Sequence, residues 1–120
     1  MSSQPGQHKR RWRFYRTDSG HEPVREFLDS LSQEDAGEIA VVMKGIATEG
    51  LVAARHVRGD LYEVRATGAT QIFRILFATE GHFNQVLLAL EGFSKKTSKT
   101  PPHEIELALR RLADWRGRGQ

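Results

Sequence analysis

Apolar positions along the 120-residue chain follow two periods, and these divide it into strands and helices. From Arg11 to Arg16 the period is two: Trp12 and Phe14 share one face, while Arg11, Arg13 and Tyr15 share the other. That alternation predicts a half-buried strand, and Asp18 to Gly20 then turns the chain. Behind Pro23, which suits a first helical turn, Val24, Phe27, Leu28 and Leu31 recur at helical spacing. Ser32 caps a second helix, with Asp35 three residues on as its capping-box partner. The stripe of that helix is Ala36, Ile39, Ala40, Met43, Ile46 and Ala47, and Gly50 is a natural stop.

A loop over residues 51–59 leads to two strands, Leu61 to Ala66 and Gln71 to Ala78, joined by Thr67-Gly68-Ala69-Thr70. If the four-residue turn makes a simple hairpin, Ala66 faces Gln71 and Glu63 faces Arg74. Leu61, Glu63, Arg65, Ile72, Arg74 and Leu76 then share one face. Tyr62, Val64, Phe73, Ile75 and Phe77 take the other and form core. Gly81-His82 turns the chain into Val86 to Leu90, apolar on both faces as in a central strand. A loop carrying Lys95, Lys96 and Lys99 follows. It ends at Thr100, a candidate N-cap, with Pro101 opening a last helix striped by Ile105, Ala108, Leu109 and Leu112. The order is β–α–α–β–β–β–α, an α+β domain with a helical hairpin after its first strand and a helix at its end. Residues 1–10 read as a disordered lead-in, 11–116 as one domain and 117–120 as a flexible tail.

Composition adds little to this outline but charge adds more. The chain is 38% hydrophobic and 28% charged, the balance of an ordinary globular domain. With no cysteine it has no disulfide framework, zinc–thiolate site or thiol nucleophile. No apolar run approaches a bilayer span, and no secretory h-region is visible, so a cytoplasmic location is expected. The net charge of +3 hides a segregation: residues 1–17 hold five Lys/Arg and no acid, whereas residues 18–50 hold eight acids against Arg25 and Lys44. Residues 91–120 are basic again, with seven Lys/Arg and four acids. Such asymmetry suits one surface for nucleic acid and another for something else; acids on a solvated helix face explain the middle equally well.

Two groups carry candidate chemistry. Arg65 and Arg74 lie diagonally across the hairpin on one face, at a spacing that suits one phosphate or two adjacent ones. Arg offers phosphate a planar, bidentate fork. Glu63 between them leaves a salt-bridge ladder open as the alternative. Lys95, Lys96 and Lys99 form the second group, with Phe93 just ahead as a stacking surface for single-stranded RNA. The alternative there is a solvated loop. The five histidines (His8, His21, His56, His82 and His103) show no metal-ligand spacing. Trp12 and Trp115 suit either core or interface. No phosphate-binding glycine loop, Ser-His-Asp set or zinc-protease motif is present.

The runs Arg58-Gly59-Asp60-Leu61-Tyr62-Glu63-Val64-Arg65, Phe73-Arg74-Ile75-Leu76-Phe77, Leu90-Glu91-Gly92-Phe93-Ser94-Lys95-Lys96-Thr97-Ser98-Lys99-Thr100-Pro101 and Glu104-Ile105-Glu106-Leu107-Ala108 carry a resemblance. In this order they resemble the phage-derived, HigB-like branch of the RelE/ParE toxin superfamily. The resemblance implies a RelE-like fold: a small twisted antiparallel sheet, an N-terminal helical hairpin and a C-terminal helix. It also implies a type II toxin, paired with a helix-turn-helix (HigA-like) antitoxin, that cleaves mRNA on the ribosome without metal or cofactor. Carried over by position, Arg65, Arg74, Lys95 and Lys96 are the catalytic candidates. Phe93, Lys99, Arg58 and Glu63 join them as RNA-binding candidates. The alternatives are a non-enzymatic ParE-like inhibitor of DNA gyrase and a non-toxic nucleic-acid-binding relative.

Overall fold

The computed structural model of the chain describes residues 10–96 and 99–118. Residues 1–9, most of the expected lead-in, lie outside the described residues, as do Thr97 and Ser98 of the lysine segment and residues 119–120 of the expected tail. The strands are β1 (Arg11–Phe14), β2 (Arg55–Arg58), β3 (Leu61–Thr67), β4 (Ile72–Glu80) and β5 (Val86–Lys95). The helices are α1 (Pro23–Asp29), α2 (Gln33–Glu49) and α3 (Pro102–Gly117). One sheet in the order β1-β5-β4-β3-β2 separates two apolar layers.

The α+β class and the helical hairpin match expectation, and local chemistry explains the ends of α2. Ser32 Oγ accepts from the Asp35 N–H at 3.1 Å, and Gly50 closes the helix at a φ of 82°, a left-handed value that glycine adopts without strain. Period-two alternation also assigns the hairpin faces correctly. Val64, Phe73, Ile75 and Phe77 are buried with Val24, Ile39, Met43 and Ile46 of the α1–α2 layer. Leu61 and Leu76 face the other way and pack with Ile105, Ala108, Leu112 and Trp115 of α3. Trp115 is therefore core. Trp12 is half-buried and donates its indole N–H to the Met43 carbonyl at 2.7 Å.

Four features depart from the sequence reading. The 51–59 loop contains β2, a short and largely exposed Arg-His-Val-Arg edge strand. Its polarity hides it from any periodicity test, and short charged strands are how sheet edges resist further pairing. The sheet is not wholly antiparallel, since β1 runs parallel to β5. These strands are far apart in sequence, so no tight hairpin fixes their relative direction. The hairpin register is displaced: Thr67 pairs with Ile72 and Arg65 with Arg74, while Glu63 pairs with Leu76. Gly68 N–H bonds the Gln71 carbonyl at 2.9 Å, so the turn sits one residue later than expected. Lastly, β5 runs on to Lys95, so the expected loop is strand over Glu91–Lys95.

Candidate functional site

The register places one carboxylate among three guanidiniums on the face that α3 covers. Arg55 on β2 pairs with Glu63 on β3, and Arg65 on β3 faces Arg74 on β4. Arg74 in turn faces Phe93 on β5, and Ile72 faces Lys95. Alternation keeps Glu63, Arg65, Arg74, Phe93 and Lys95 on one face. The Glu63 carboxylate, fully buried, accepts from Arg65 Nε at 2.9 Å and lies 3.4 Å from Arg74 Nε and 3.7 Å from Arg55 Nη1. Arg65 and Arg55 face one oxygen, while the oxygen that faces Arg74 also accepts from Thr100 Oγ1 at 2.6 Å.

Thr100 therefore does not cap α3. Pro101 is the N-cap residue and makes no side-chain cap, while the Thr100 hydroxyl ties the end of the lysine segment to the sheet. This bond reaches across 37 residues of sequence, which is why local capping rules missed it.

Burial divides the candidate residues. Arg74 is fully buried, with its ring-facing guanidinium carbon 5.7 Å from the centre of Phe93. Its pKa is lowered, first by burial and then by the charge of Arg65, with Glu63 opposing. Arg74, expected to reach a phosphate, is packed beneath the surface against Glu63. Phe93, only 7% exposed, belongs to the α3 core cluster and presents no open stacking face. Glu63, expected among the RNA-binding residues, is likewise buried. Arg65 keeps 28% of its side chain exposed and Arg55 65%. Lys95, Lys96 and Lys99 are all exposed. Arg58 is exposed too but pairs with Leu61 at the other end of β2 from Arg55, so it is not gathered into this group.

The result is a cationic rim over a braced interior. Three guanidiniums lie within 3.7 Å of the one Glu63 carboxylate, and the exposed lysines follow on the adjoining segment. Such a rim holds polyanions and stabilises charge developing on a phosphate.

An acidic pair that sequence reasoning missed adjoins the lysines. Glu104, in the first turn of α3, has its carboxyl pushed up to about 7. Burial is the main cause, followed by the hydrogen bond with and the charge of Glu91, while Lys95 and Arg111 oppose the shift. Arg111 Nη1 anchors Glu91 at 2.9 Å and also donates to the Leu90 carbonyl at 2.8 Å. His103 Nε2 lies 3.6 Å from Glu104 Oε2. A carboxyl that changes protonation near neutral pH can take or give a proton. Its sequence signal was weak, since Glu91 and Glu104 meet only once α3 is docked on β5. Among the described residues no group of three His, Asp or Glu is placed to hold a metal ion, and no helix is long and apolar enough to cross a membrane.

With this geometry, residues 26–113 match the family model described as "Phage derived protein Gp49-like (DUF891)". The chain belongs to this phage-derived Gp49-like family, within the HigB/RelE-like toxin superfamily. It is also similar to a Mycobacterium tuberculosis protein named "Probable endoribonuclease HigB1", from strain CDC 1551 / Oshkosh. The two are 35% identical over 108 residues, covering 88% of this chain and 84% of the relative. The protein of that name from strain ATCC 25618 / H37Rv matches with the same figures.

Proposed function

We propose that this protein is the toxin of a type II toxin–antitoxin pair, an endoribonuclease that cuts mRNA on the ribosome and so stops translation. The observation that carries this reading is the exposed rim of Arg55, Arg65, Lys95, Lys96 and Lys99 above the braced Glu63–Arg74 interior. Similarity to a protein named as an endoribonuclease supports it.

The chemistry needs no metal. The 2′-hydroxyl of one nucleotide attacks the adjacent phosphorus, the 5′-oxygen of the next nucleotide leaves, and a 2′,3′-cyclic phosphate forms. Negative charge grows on the phosphate oxygens, where guanidinium and ammonium groups are most effective. Arg65 and Lys95 hold the scissile phosphate in this scheme, and Lys96 and Lys99 hold the flanking backbone. Arg74 acts through Glu63 as a positioning residue. Glu104, beside Lys95, shares the proton transfers. The ribosome supplies the alignment of the mRNA, and a helix-turn-helix antitoxin silences the toxin by covering the basic rim.

Induction of the chain without an antitoxin tests this reading. The wild type is expected to arrest growth and produce discrete mRNA ends, and Lys95→Ala/Lys96→Ala to do neither while melting like the wild type. Full toxicity in that variant would overturn the site. Arrest with DNA damage and no new RNA ends would overturn the activity in favour of gyrase inhibition.

A further inference from the structure

The basic strand at the start of the chain has no part in the site above, yet it borders a pocket of about 420 Å³. Trp12, Arg13 and Phe14 of β1, Arg25 of α1 and Trp115 of α3 line it, joined by Arg16, Arg118 and one acid, Glu22. Two of its guanidiniums rest on aromatic rings: Arg13 is 5.0 Å from the centre of Trp115 and Arg25 is 4.5 Å from that of Phe14. Stacking of this kind orients a guanidinium before any ligand arrives, which lowers the entropy lost on binding.

Charge within the pocket is unevenly compensated. Arg25 is paired to Glu22 at 2.7 Å, and Arg118 is paired to Asp114 and Asp18. Arg13 and Arg16 have no carboxylate within 4 Å among the described residues. The backbone adds donors. Arg11 and Tyr15 N–H groups bond Gln85 and Ala89 carbonyls towards β5, so alternation turns the amides of Trp12 and Phe14 to the free edge of β1. Forked cations held on aromatic rings and edge amides together suit a phosphate.

Position relates this pocket to the lysine rim. The pocket wraps the free edge of β1: Trp12 and Phe14 lie towards the α1–α2 layer, whereas Arg13 and Trp115 lie on the α3 side of the sheet, as Arg65 does. The rim lies at the first turn of α3 and the pocket at its last. With 16 residues in α3, the two ends stand about 24 Å apart at 1.5 Å per residue. That gap matches about seven nucleotides at the 3.4 Å spacing of a stacked strand.

We propose that this pocket is a second RNA site, where Arg13 and Arg16 hold a phosphate several nucleotides away from the one at the lysine rim. The inference rests on the RNA reading above and extends it by assigning a remote anchor.

The test is binding of full-length protein to labelled 2′-O-methyl oligoribonucleotides, which cannot be cleaved, of three and twelve nucleotides over a range of salt. The wild type is expected to prefer the 12-mer. Arg16→Gln, a change at an exposed side chain, is expected to weaken the 12-mer alone and to lower its salt slope by about 0.7, the value for one phosphate contact on a single strand. Arg13→Gln/Arg16→Gln is expected to lower it by about 1.4 on the same basis. Unchanged 12-mer binding, or equal loss on both lengths, would overturn the proposal. So would retained RNA binding with lost binding of a polyglutamate peptide, which would make the pocket a protein-docking edge. Failure of the RNA reading itself looks different, because the wild type would then bind neither oligonucleotide.

Discussion

Replacing Glu63 by Gln removes one charge at the point where three strands and the start of α3 meet. The volume is nearly unchanged, but one oxygen becomes an NH₂ donor directed at a cation or at the Thr100 hydroxyl. The fully buried carboxylate now balances Arg65 at 2.9 Å, Arg74 at 3.4 Å and Arg55 at 3.7 Å. Breaking a buried ion pair from one side costs about 3–5 kcal/mol, because the partner charge stays behind without solvent. Arg74, fully buried, loses the counter-charge 3.4 Å from its Nε. Such a loss is a large part of the roughly 5–15 kcal/mol that holds a domain folded. At roughly 4 °C per kcal/mol, it lowers the melting temperature by roughly 12–20 °C. Arg74→Met should cost a similar amount, and the double variant clearly less than the sum, since neither charge is then stranded. Arg55→Ala should cost under about 1 kcal/mol, because 65% of that side chain is exposed. Urea unfolding followed by tryptophan fluorescence measures all four variants. A Glu63→Gln protein within 1 kcal/mol of wild type, or an Arg55→Ala protein as damaged as Arg74→Met, would refute this account of the network.

Three further outcomes follow from the packing. In Gly92→Ala the new Cβ meets Phe27 Cδ2 at 2.5 Å and Ile75 Cδ1 at 3.1 Å, so about 1–3 kcal/mol of overpacking strain should appear in denaturant unfolding; a neutral variant would mean that α1 sits less tightly on the sheet. Thr100→Val removes a hydrogen bond to a buried Glu63 oxygen and should cost about 1–3 kcal/mol, and amide exchange should rise at Lys99 and residue 100; unchanged exchange there would mean that this bond does not hold the segment to the sheet. The carboxyl of Glu104 moves from 4.5 to about 7 on folding, so the native state binds this proton more tightly than the unfolded chain. Stability from this group is complete below the lower value and falls as pH rises through about 7. Glu104→Gln should therefore be near neutral at pH ~5 and more stable than wild type at pH ~8, by at most about 3 kcal/mol. An equal effect at both pH values would contradict it.

Much of the fold was legible because the side-chain period of a strand is two. The hairpin closes at Thr67 and Ile72 and not at Ala66 and Gln71, which moves every partner by two residues and so leaves each side chain on its expected face. The pairing distances were not legible for the same reason: parity says nothing about which arginine stands opposite which. Lys95 and Lys96 could be singled out as candidates because a cluster of cations is visible in any sequence. The burial of Phe93 was hidden, because Glu91-Gly92-Phe93-Ser94-Lys95 lacks the apolar run that announces a strand, and β4 supplies its partners. Arg55 escaped notice on a polar edge strand, as did the Thr100–Glu63 bond and the Glu91–Glu104 pair, whose partners come from different elements.

Purified protein mixed with a 5′-labelled mRNA, with and without programmed ribosomes, tests the proposed activity most directly. Expected are discrete cuts that leave 2′,3′-cyclic phosphate and 5′-hydroxyl ends, only when ribosomes are present and only with Lys95 and Lys96 intact. Intact mRNA under both conditions, or cutting that persists in Lys95→Ala/Lys96→Ala, would contradict it.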